Sequence, residues 1–208
     1  MRNMLYALAA LLILAGTAYA EDGIHGGGIK GGLLLSSPAG ERDEYDVESI
    51  YNASYGIYYR YSLKSRYSVQ AEVSYSPKGS KGSYYTRSGE IHISYVDITV
   101  PVQYRAIERN KLFGDLYLGP VFGIYLSGEV EDEDGDTYGI GSDVIKPFDI
   151  GFCVGAKFGI SHAAGNNETS IDLRYSMGFI APDDTDQNID LRNRTVSVML
   201  EIYFDINK

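Results

Sequence analysis

Cysteines, basic residues and long apolar runs are all scarce in this sequence, and each shortage excludes a class of protein. Cys153 is the single cysteine, so no disulfide can form within the chain. The chain has 18 basic against 28 acidic residues and a formal net charge of −10, which argues against a nucleic-acid partner. After Leu14, no stretch approaches the roughly 18 consecutive apolar residues that a membrane-spanning helix needs.

The first 20 residues have the layout of a secretory signal peptide. Arg2 precedes an apolar run over residues 5–14, and the small-residue ending Ala18-Tyr19-Ala20 comes directly before an acidic residue. The apolar run is too short to span a membrane as a helix. We therefore expect cleavage after Ala20 and one β domain over residues 21–208.

Residues 96–106 alternate between apolar and polar side chains without a break. Val96, Ile98 and Val100 share one face, whereas Asp97 and Thr99 lie on the other. This period of two is that of a β-strand. The length matches the roughly 9 to 11 residues with which a tilted strand crosses a bilayer. We interpret the stretch as a transmembrane strand and use its alternation as the pattern for identifying the other strands.

The same alternation recurs along the chain, and a composition of 19 Tyr and 24 Gly with many β-branched residues favours an all-β fold. The predicted strands are residues 27–35, 51–63, 67–76, 93–106, 112–126, 148–160, 171–179 and 196–204. Long polar loops are predicted at residues 36–50, 77–92, 127–147 and 180–194, with short connections between them. Such alternation is typical of bacterial outer-membrane proteins. The sequence predicts an eight-stranded antiparallel up-and-down transmembrane β-barrel with both termini in the periplasm.

A soluble eight-stranded barrel of the lipocalin type is the main alternative, because period two does not say which face lies inside. Two features favour the membrane. The polar face mixes glycine with charge, as at Gly155 and Lys157, which suits a narrow polar interior. Aromatic residues lie towards both strand ends of the apolar face, among them Tyr51, Tyr67 and Phe158, as in the aromatic girdles of membrane barrels.

Charged residues of both signs occupy the polar face of the predicted strands. Eight strands leave an interior that side chains fill, and paired charges can occupy such a space. The candidate interior network is Lys30, Arg60, Glu72, Asp97, Arg105, Asp115, Asp149, Lys157, Asp172, Arg174 and Glu201. The alternative interpretation is a narrow ion or proton pathway, and with it a small-solute pore.

Residues 129–136 (EVEDEDGD) place six acids within eight positions of a predicted outer loop. The carboxylates of Glu131, Asp132, Asp134 and Asp136 are candidates for loosely bound Ca²⁺, although their spacing is not that of an EF-hand loop. One interpretation is solvated surface acid. The other is divalent cations that bridge the loops to lipopolysaccharide. No other cofactor or metal is expected.

Several segments, in order, resemble the PorT-like outer-membrane β-barrel domain. They are GIKGGLLLS from Gly28, AEVSYSPKGS from Ala71, SYVDITVPVQYR from Ser94, GPVFGIYLSG from Gly119, FDIGFCVGAKFGI from Phe148 and the closing VSVMLEIYF. The resemblance spans essentially the whole predicted mature chain. It implies an eight-stranded barrel in the outer membrane of a Gram-negative bacterium, with a tie to protein secretion in some members.

His92 and Ser94 form a His-x-Ser pair near the outer end of the fourth predicted strand. The pair resembles the lipid A deacylase barrels, in which the histidine would act as base and the serine as nucleophile. Glu90 is the nearest acid in sequence that could orient the imidazole. A lipid A modifying enzyme is therefore one alternative function.

Together these features predict a non-catalytic outer-membrane barrel with a structural, surface-interaction or secretion-associated role. Its expected partners are outer-membrane lipid, lipopolysaccharide and secretion or cell-surface proteins. A lipid A modifying enzyme and a small-solute pore are the two alternatives.

Overall fold

The computed structural model describes residues 25–39, 47–64, 66–84, 87–132, 135–140, 146–162, 167–180 and 192–206. Its strands are β1 His25–Ala39, β2 Val47–Lys64, β3 Tyr67–Tyr84, β4 Arg87–Thr99, β5 Val102–Arg109, β6 Leu112–Asp132, β7 Thr137–Ile140, β8 Phe148–Ser161, β9 Glu168–Gly178 and β10 Arg192–Asp205. Among the described residues, no helix is long and apolar enough to cross a membrane. The predicted signal peptide lies outside these ranges.

The strands close into an antiparallel ring. Around the ring the order is β1, β2, β3, β4 with β5, β6, β8, β9 and β10. The last strand returns to the first, in a register that runs from Gly26 opposite Asp205 to Ala39 opposite Arg192. Closure matters because an open sheet edge would expose unpaired backbone groups to lipid, where no water can satisfy them.

Strands β4 and β5 form one strand of the ring. Both pair with β3, and the register continues across their junction, since Thr99 opposes Glu72 and Val102 opposes Val69. The interruption falls at Pro101 because proline has no backbone N–H to donate. Strand β7 pairs with β6 and lies off the ring. The ring therefore has eight strands, and the predicted barrel is confirmed.

The two faces of the ring differ sharply in exposure. Leu33 and Leu118 on the outer face are 62% and 67% exposed, whereas Glu72 and Asp172 on the inner face are 1% and 0% exposed. Every strand of the ring adds apolar side chains to the outer face, among them Ile29, Ile57, Val73, Val102, Leu116, Val154, Leu173 and Val198. This arrangement excludes the lipocalin alternative, in which the apolar face would line the interior.

Several strands run further than the sequence predicted. The predicted loop 77–92 is wrong, because β3 continues to Tyr84 and pairs with β4 from Arg87 onwards. The predicted loop 127–147 is wrong in part, because β6 runs to Asp132 and pairs with β7. Beyond the membrane both faces of a strand can meet water. The apolar alternation that marks a spanning strand therefore stops before the strand does.

These extra residues build a small sheet beyond the ring, at the end of the barrel with the long connections. We call it the outer extension, and it consists of residues 47–49, 80–84, 87–94, 127–132 and 137–140. Backbone pairing links its parts in the order β2, β3, β4, β6, β7. At the other end the connections are short, as between Arg109 and Leu112, where Asn110 adopts a φ of 55°. Asparagine tolerates this left-handed conformation better than most residues.

Candidate functional site

The middle of the barrel interior is filled by a cluster of buried charges, which we call the middle cluster. Arg174 of β9 meets Glu72 of β3 through two bonds, Nη1 to Oε2 at 2.7 Å and Nη2 to Oε1 at 2.8 Å. Its Nη2 also donates to Asp172 at 3.1 Å. Such two-point guanidinium–carboxylate pairs are geometrically specific and strong for hydrogen bonds.

Two lysines complete the charge balance of the middle cluster. Lys30 Nζ lies 2.7 Å from Glu72 Oε2, 3.4 Å from Glu201 Oε1 and 3.6 Å from Asp172 Oδ2. Lys157 Nζ lies 2.7 Å from Glu201 Oε2. Three cations therefore face three carboxylates in a space from which solvent is almost absent. The attraction between these opposite charges offsets the desolvation free energy that their burial costs.

Neutral side chains add further hydrogen bonds to the middle cluster. Gln70 Nε2 donates to Glu72 at 3.0 Å, and Gln103 Nε2 donates to Gln70 Oε1 at 2.8 Å. The Tyr117 hydroxyl donates to Asp172 Oδ1 and accepts from Arg174 Nε. All three residues lie on the inner face of the ring, and the sequence did not predict their part in the network.

A second cluster, the inner-end cluster, lies towards the short turns. Glu168 bridges two arginines, with Oε2 at 2.7 Å from Arg60 Nη1 and Oε1 at 2.9 Å from Arg105 Nη1. Arg105 also donates twice to Asp115, from Nε at 2.8 Å and from Nη2 at 3.1 Å. Arg60 stacks over the Tyr203 ring at 3.8 Å, a cation–π contact that helps to hold the guanidinium in place.

A third cluster, the outer-end cluster, lies near the outer extension. Lys78 Nζ donates to Asp97 Oδ1 at 3.2 Å and lies 3.8 Å from Asp149 Oδ2. Asn193 Nδ2 donates to the same Asp149 oxygen at 2.9 Å. A cavity with room for about one water molecule adjoins Lys78 and Asp149.

The structure places all eleven residues of the candidate interior network on the inner face, divided among these three clusters. The sequence missed two charged members. Lys78 was assigned to a loop, although it continues the inward positions that begin at Gln70. Glu168 was assigned to a short connection, although it lies two residues before Ser170 on the inner face of β9. Extending the period of two beyond the apolar stretch would have found both.

The His-x-Ser pair has a different arrangement from the one the enzyme alternative needs. His92 Nε2 lies 4.0 Å from Glu90 Oε2. The Ser94 hydroxyl bonds to the Tyr75 hydroxyl at 2.8 Å rather than to the imidazole. The serine therefore lacks, in this structure, the hydrogen bond to a base that would activate it.

Three of the candidate cation residues, Glu131, Asp132 and Asp136, lie within the described part of the chain, and these three do not converge on one point. Asp132 Oδ1 accepts the backbone N–H of Asp136 at 2.9 Å and so forms part of the β6–β7 turn. Glu131 instead lies with Glu90 and His92, and their ligand atoms all fall within 4.8 Å of one another. Asp134 lies outside the described residues.

Comparison with known proteins agrees with this architecture. The profile of the family described as "Outer membrane protein beta-barrel domain" matches residues 15–181. The crystal structure of the outer membrane protein OprG from Pseudomonas aeruginosa is similar, with 11% identity, a TM-score of 0.51 and coverage of 88% of this chain and 94% of that one. A comparison with curated proteins found no match.

Two further solved structures have lower scores. Ail, the attachment invasion locus protein of Yersinia pestis, shares 15% identity over 88% of this chain and 99% of its own, with a TM-score of 0.45, in its complex with the heparin analogue sucrose octasulfate. Neisserial surface protein A shares 16% identity over 86% and 97%, with a TM-score of 0.41. The narrower PorT-like assignment stays a prediction. The matched profile covers well over half of the sequence, and the chain belongs to the outer membrane protein β-barrel domain family of the Gram-negative outer membrane.

Proposed function

We propose that the protein is a non-catalytic, non-conducting barrel that holds the outer extension above the membrane, where it meets lipopolysaccharide and other surface molecules. The observation that carries this proposal is the filled interior. Charged side chains from opposite sides of the ring meet across the lumen, as Arg174 of β9 does with Glu72 of β3. An interior that is filled by side chains and bridged by ion pairs suits a rigid support better than a channel for solutes.

The pore alternative requires a continuous water path, and the middle cluster stands in its way. The side chains of Lys30, Glu72 and Asp172 are 2%, 0% and 0% exposed. An ion that entered would have to break several charge-assisted bonds at once, each worth more than an ordinary hydrogen bond. The side chains are already paired with one another, so they cannot replace the water molecules that the ion would lose on entry.

Planar-bilayer recording tests the closed interior. We expect the reconstituted wild-type protein to give no discrete conductance. We expect the double variant Glu72→Ala with Arg174→Ala to give measurable steps, because it removes the central ion pair that crosses the lumen in the middle cluster. Glu108→Ala, at an exposed inner-end position, is the matched control and should stay silent. Discrete wild-type steps would overturn the proposal and favour the small-solute pore.

The outer extension is the better candidate for partner contact than the opposite end. It presents paired strands beyond the ring, whereas the inner end has only short connections. Its exposed acids include Glu129 and Glu131, and exposed Asp136 lies beside them in the turn between β6 and β7. Lipopolysaccharide is also anionic, so contact between the two surfaces requires divalent cations. A secretion-associated role at the inner end, which the PorT-like resemblance implies, is the alternative location for a partner.

Sedimentation with lipopolysaccharide tests the surface role. We expect the purified protein to co-sediment with lipopolysaccharide micelles in Ca²⁺ and to separate from them in excess chelator. The triple variant Glu129→Gln, Glu131→Gln and Asp136→Asn should lose this dependence, whereas Glu108→Gln should retain it. If co-sedimentation is unchanged by chelator and by the triple variant, lipopolysaccharide contacts another part of the barrel.

A further inference from the structure

Three metal-ligating side chains come together on one face of the outer extension. Glu90 and His92 lie two residues apart on β4, and Glu131 lies on the neighbouring β6. One ligand atom from each falls within 4.8 Å of the other two, and His92 Nε2 lies 4.0 Å from Glu90 Oε2. All three side chains are partly or largely exposed, so an ion from solvent can reach them.

Strand register explains this convergence. Glu90 lies directly opposite Glu131, and His92 lies directly opposite Glu129. Directly opposed residues of an antiparallel pair have Cβ atoms about 4.5–5.5 Å apart. Residues two apart on one strand share a face. The four residues therefore occupy a compact square of neighbouring positions on the sheet, and the ligand atoms of Glu90, His92 and Glu131 converge within it.

The charges of this square are unbalanced without a cation. Like charges directly opposite each other destabilise a strand pair, and Glu90 and Glu131 are such a pair. Lys81 of β3 lies opposite Glu90, but it also lies opposite Glu48 of β2. A divalent cation between the two opposed carboxylates would remove the repulsion.

We propose that Glu90, His92 and Glu131 bind a divalent transition metal of the Zn²⁺ type, with Glu129 placed to supply a fourth ligand. An imidazole combined with carboxylates suits zinc, whereas Ca²⁺ takes oxygen ligands alone. Zinc bonds to these groups at about 2.0–2.2 Å, so the side chains must approach one another by roughly 1 Å. Their exposure leaves them free to do so.

This site differs from the cation site predicted along residues 131–136. Asp132 points to the other face of β6 from Glu131 and is held by the Asp136 N–H. The proposed ligands come from two paired strands rather than from one acidic run. The site also needs no lipopolysaccharide, so it stands or falls independently of the proposed surface role.

Zinc titration of the full chain tests the proposal. The protein is purified in lipopolysaccharide-free detergent and stripped with chelator, and Zn²⁺ binding is measured by calorimetry and by competition with a chromophoric zinc indicator. We expect one equivalent of Zn²⁺ per chain. His92→Ala and Glu131→Gln should each weaken binding by more than about tenfold, the lower end of what even an outer-shell change costs.

Two controls keep the test specific. His162→Ala removes an exposed imidazole at the opposite end of the barrel, where its Nε2 lies 2.9 Å from Thr169 Oγ1. Glu108→Gln removes an exposed carboxylate at that same end. Both should bind Zn²⁺ like the wild type. A heat-dependent gel shift shows that each variant is folded. Absence of Zn²⁺ binding, or equal affinity in wild type and His92→Ala, would overturn the proposal.

Discussion

Arg174 and Glu72 are 102 residues apart in the chain, yet they meet inside the barrel as a two-point pair at 2.7 and 2.8 Å. Glu72 also contacts Lys30 at 2.7 Å, so one carboxylate joins strands β1, β3 and β9. The Glu72 side chain is 0% exposed and that of Arg174 is 9% exposed. Its loss should therefore affect the whole barrel rather than one strand.

Glu72→Gln should destabilise the barrel strongly. The amide keeps the size of the side chain but leaves Arg174 and Lys30 beside a neutral group, and breaking a buried ion pair from one side costs about 3–5 kcal/mol. Urea unfolding in detergent, followed by the heat-dependent gel shift, measures the change. Glu108→Gln is the surface control and should stay within about 0.5 kcal/mol of wild type. A midpoint for Glu72→Gln equal to that of the control would contradict the prediction.

The double variant Glu72→Leu with Arg174→Leu should be less destabilised than the sum of its single variants. Removing both charges leaves neither buried without its partner, whereas each single change does. The same unfolding assay applied to the four members of the cycle gives the coupling energy. Additive single effects would show that the two side chains do not act as a pair.

Tyr117→Phe should cost about 1–3 kcal/mol, because it removes the hydroxyl that bonds Asp172 Oδ1 and Arg174 Nε in a buried site. Tyr138→Phe removes the hydroxyl of a tyrosine that is 58% exposed and serves as the control. Chemical unfolding of both variants checks the difference. Equal midpoints would mean that the Tyr117 hydroxyl is dispensable to the middle cluster.

Leu118→Lys should impair the barrel more than Leu112→Lys. Both leucines lie on the outer face of β6 and are 67% and 60% exposed, but Leu118 is near the middle of the spanning stretch and Leu112 is at its inner end. A lysine on the lipid face costs about 2–4 kcal/mol at the midplane and about 0–1 kcal/mol near the interface. Refolding yield into lipid vesicles ranks the two variants. The reverse order would mean that the membrane crosses the barrel at another height.

Cys153 should resist maleimide labelling in the folded barrel, because its side chain is 0% exposed and faces the interior. Boiling in detergent should make it reactive. In a Cys153→Ser background, Tyr138→Cys should label on intact cells, since β7 lies at the outer end, whereas Asn110→Cys should not. Labelling of Asn110→Cys alone would invert the orientation of the barrel.

Ser94→Ala should leave lipid A acylation unchanged. The Ser94 hydroxyl bonds to the Tyr75 hydroxyl and not to the His92 imidazole, so the imidazole is not placed to activate this serine. Mass spectrometry of lipid A from cells that express wild type or variant decides the point, with an empty-vector strain as baseline. A difference in acylation between wild type and Ser94→Ala would restore the enzyme alternative.

Period two sorted the side chains of each strand onto two faces, and the aromatic strand ends and the mixture of glycine with charge indicated that the polar face lies inside. Glu72 and Arg174 were therefore placed inside, because each falls on the polar side of an alternating strand. It could not pair them, since contact across the lumen depends on how far neighbouring strands are staggered. Lys78 and Glu168 were missed for another reason. Glu168 is the first residue of β9, and Lys78 lies in the outer half of β3, so the apolar alternation that marks a spanning strand reaches neither position.

The grouping of Glu90, His92 and Glu131 was also beyond the sequence. It depends on the register between β4 and β6, which shifts between Ser94 and Tyr95. Such a shift inserts an extra residue on one strand and changes which residues face each other beyond it. Composition gives no sign of where this irregularity falls.

The pairing of β10 with β1 has a consequence for biogenesis. Strands β1 and β10 pair with each other to close the ring, so the ring cannot close until β10 has reached the membrane. An intermediate that lacks β10 has two unpaired strand edges, at β1 and β9, and both would face the hydrocarbon of the bilayer. Pairing of β10 with β1 therefore completes the barrel wall and encloses the charged side chains of the interior in the same step.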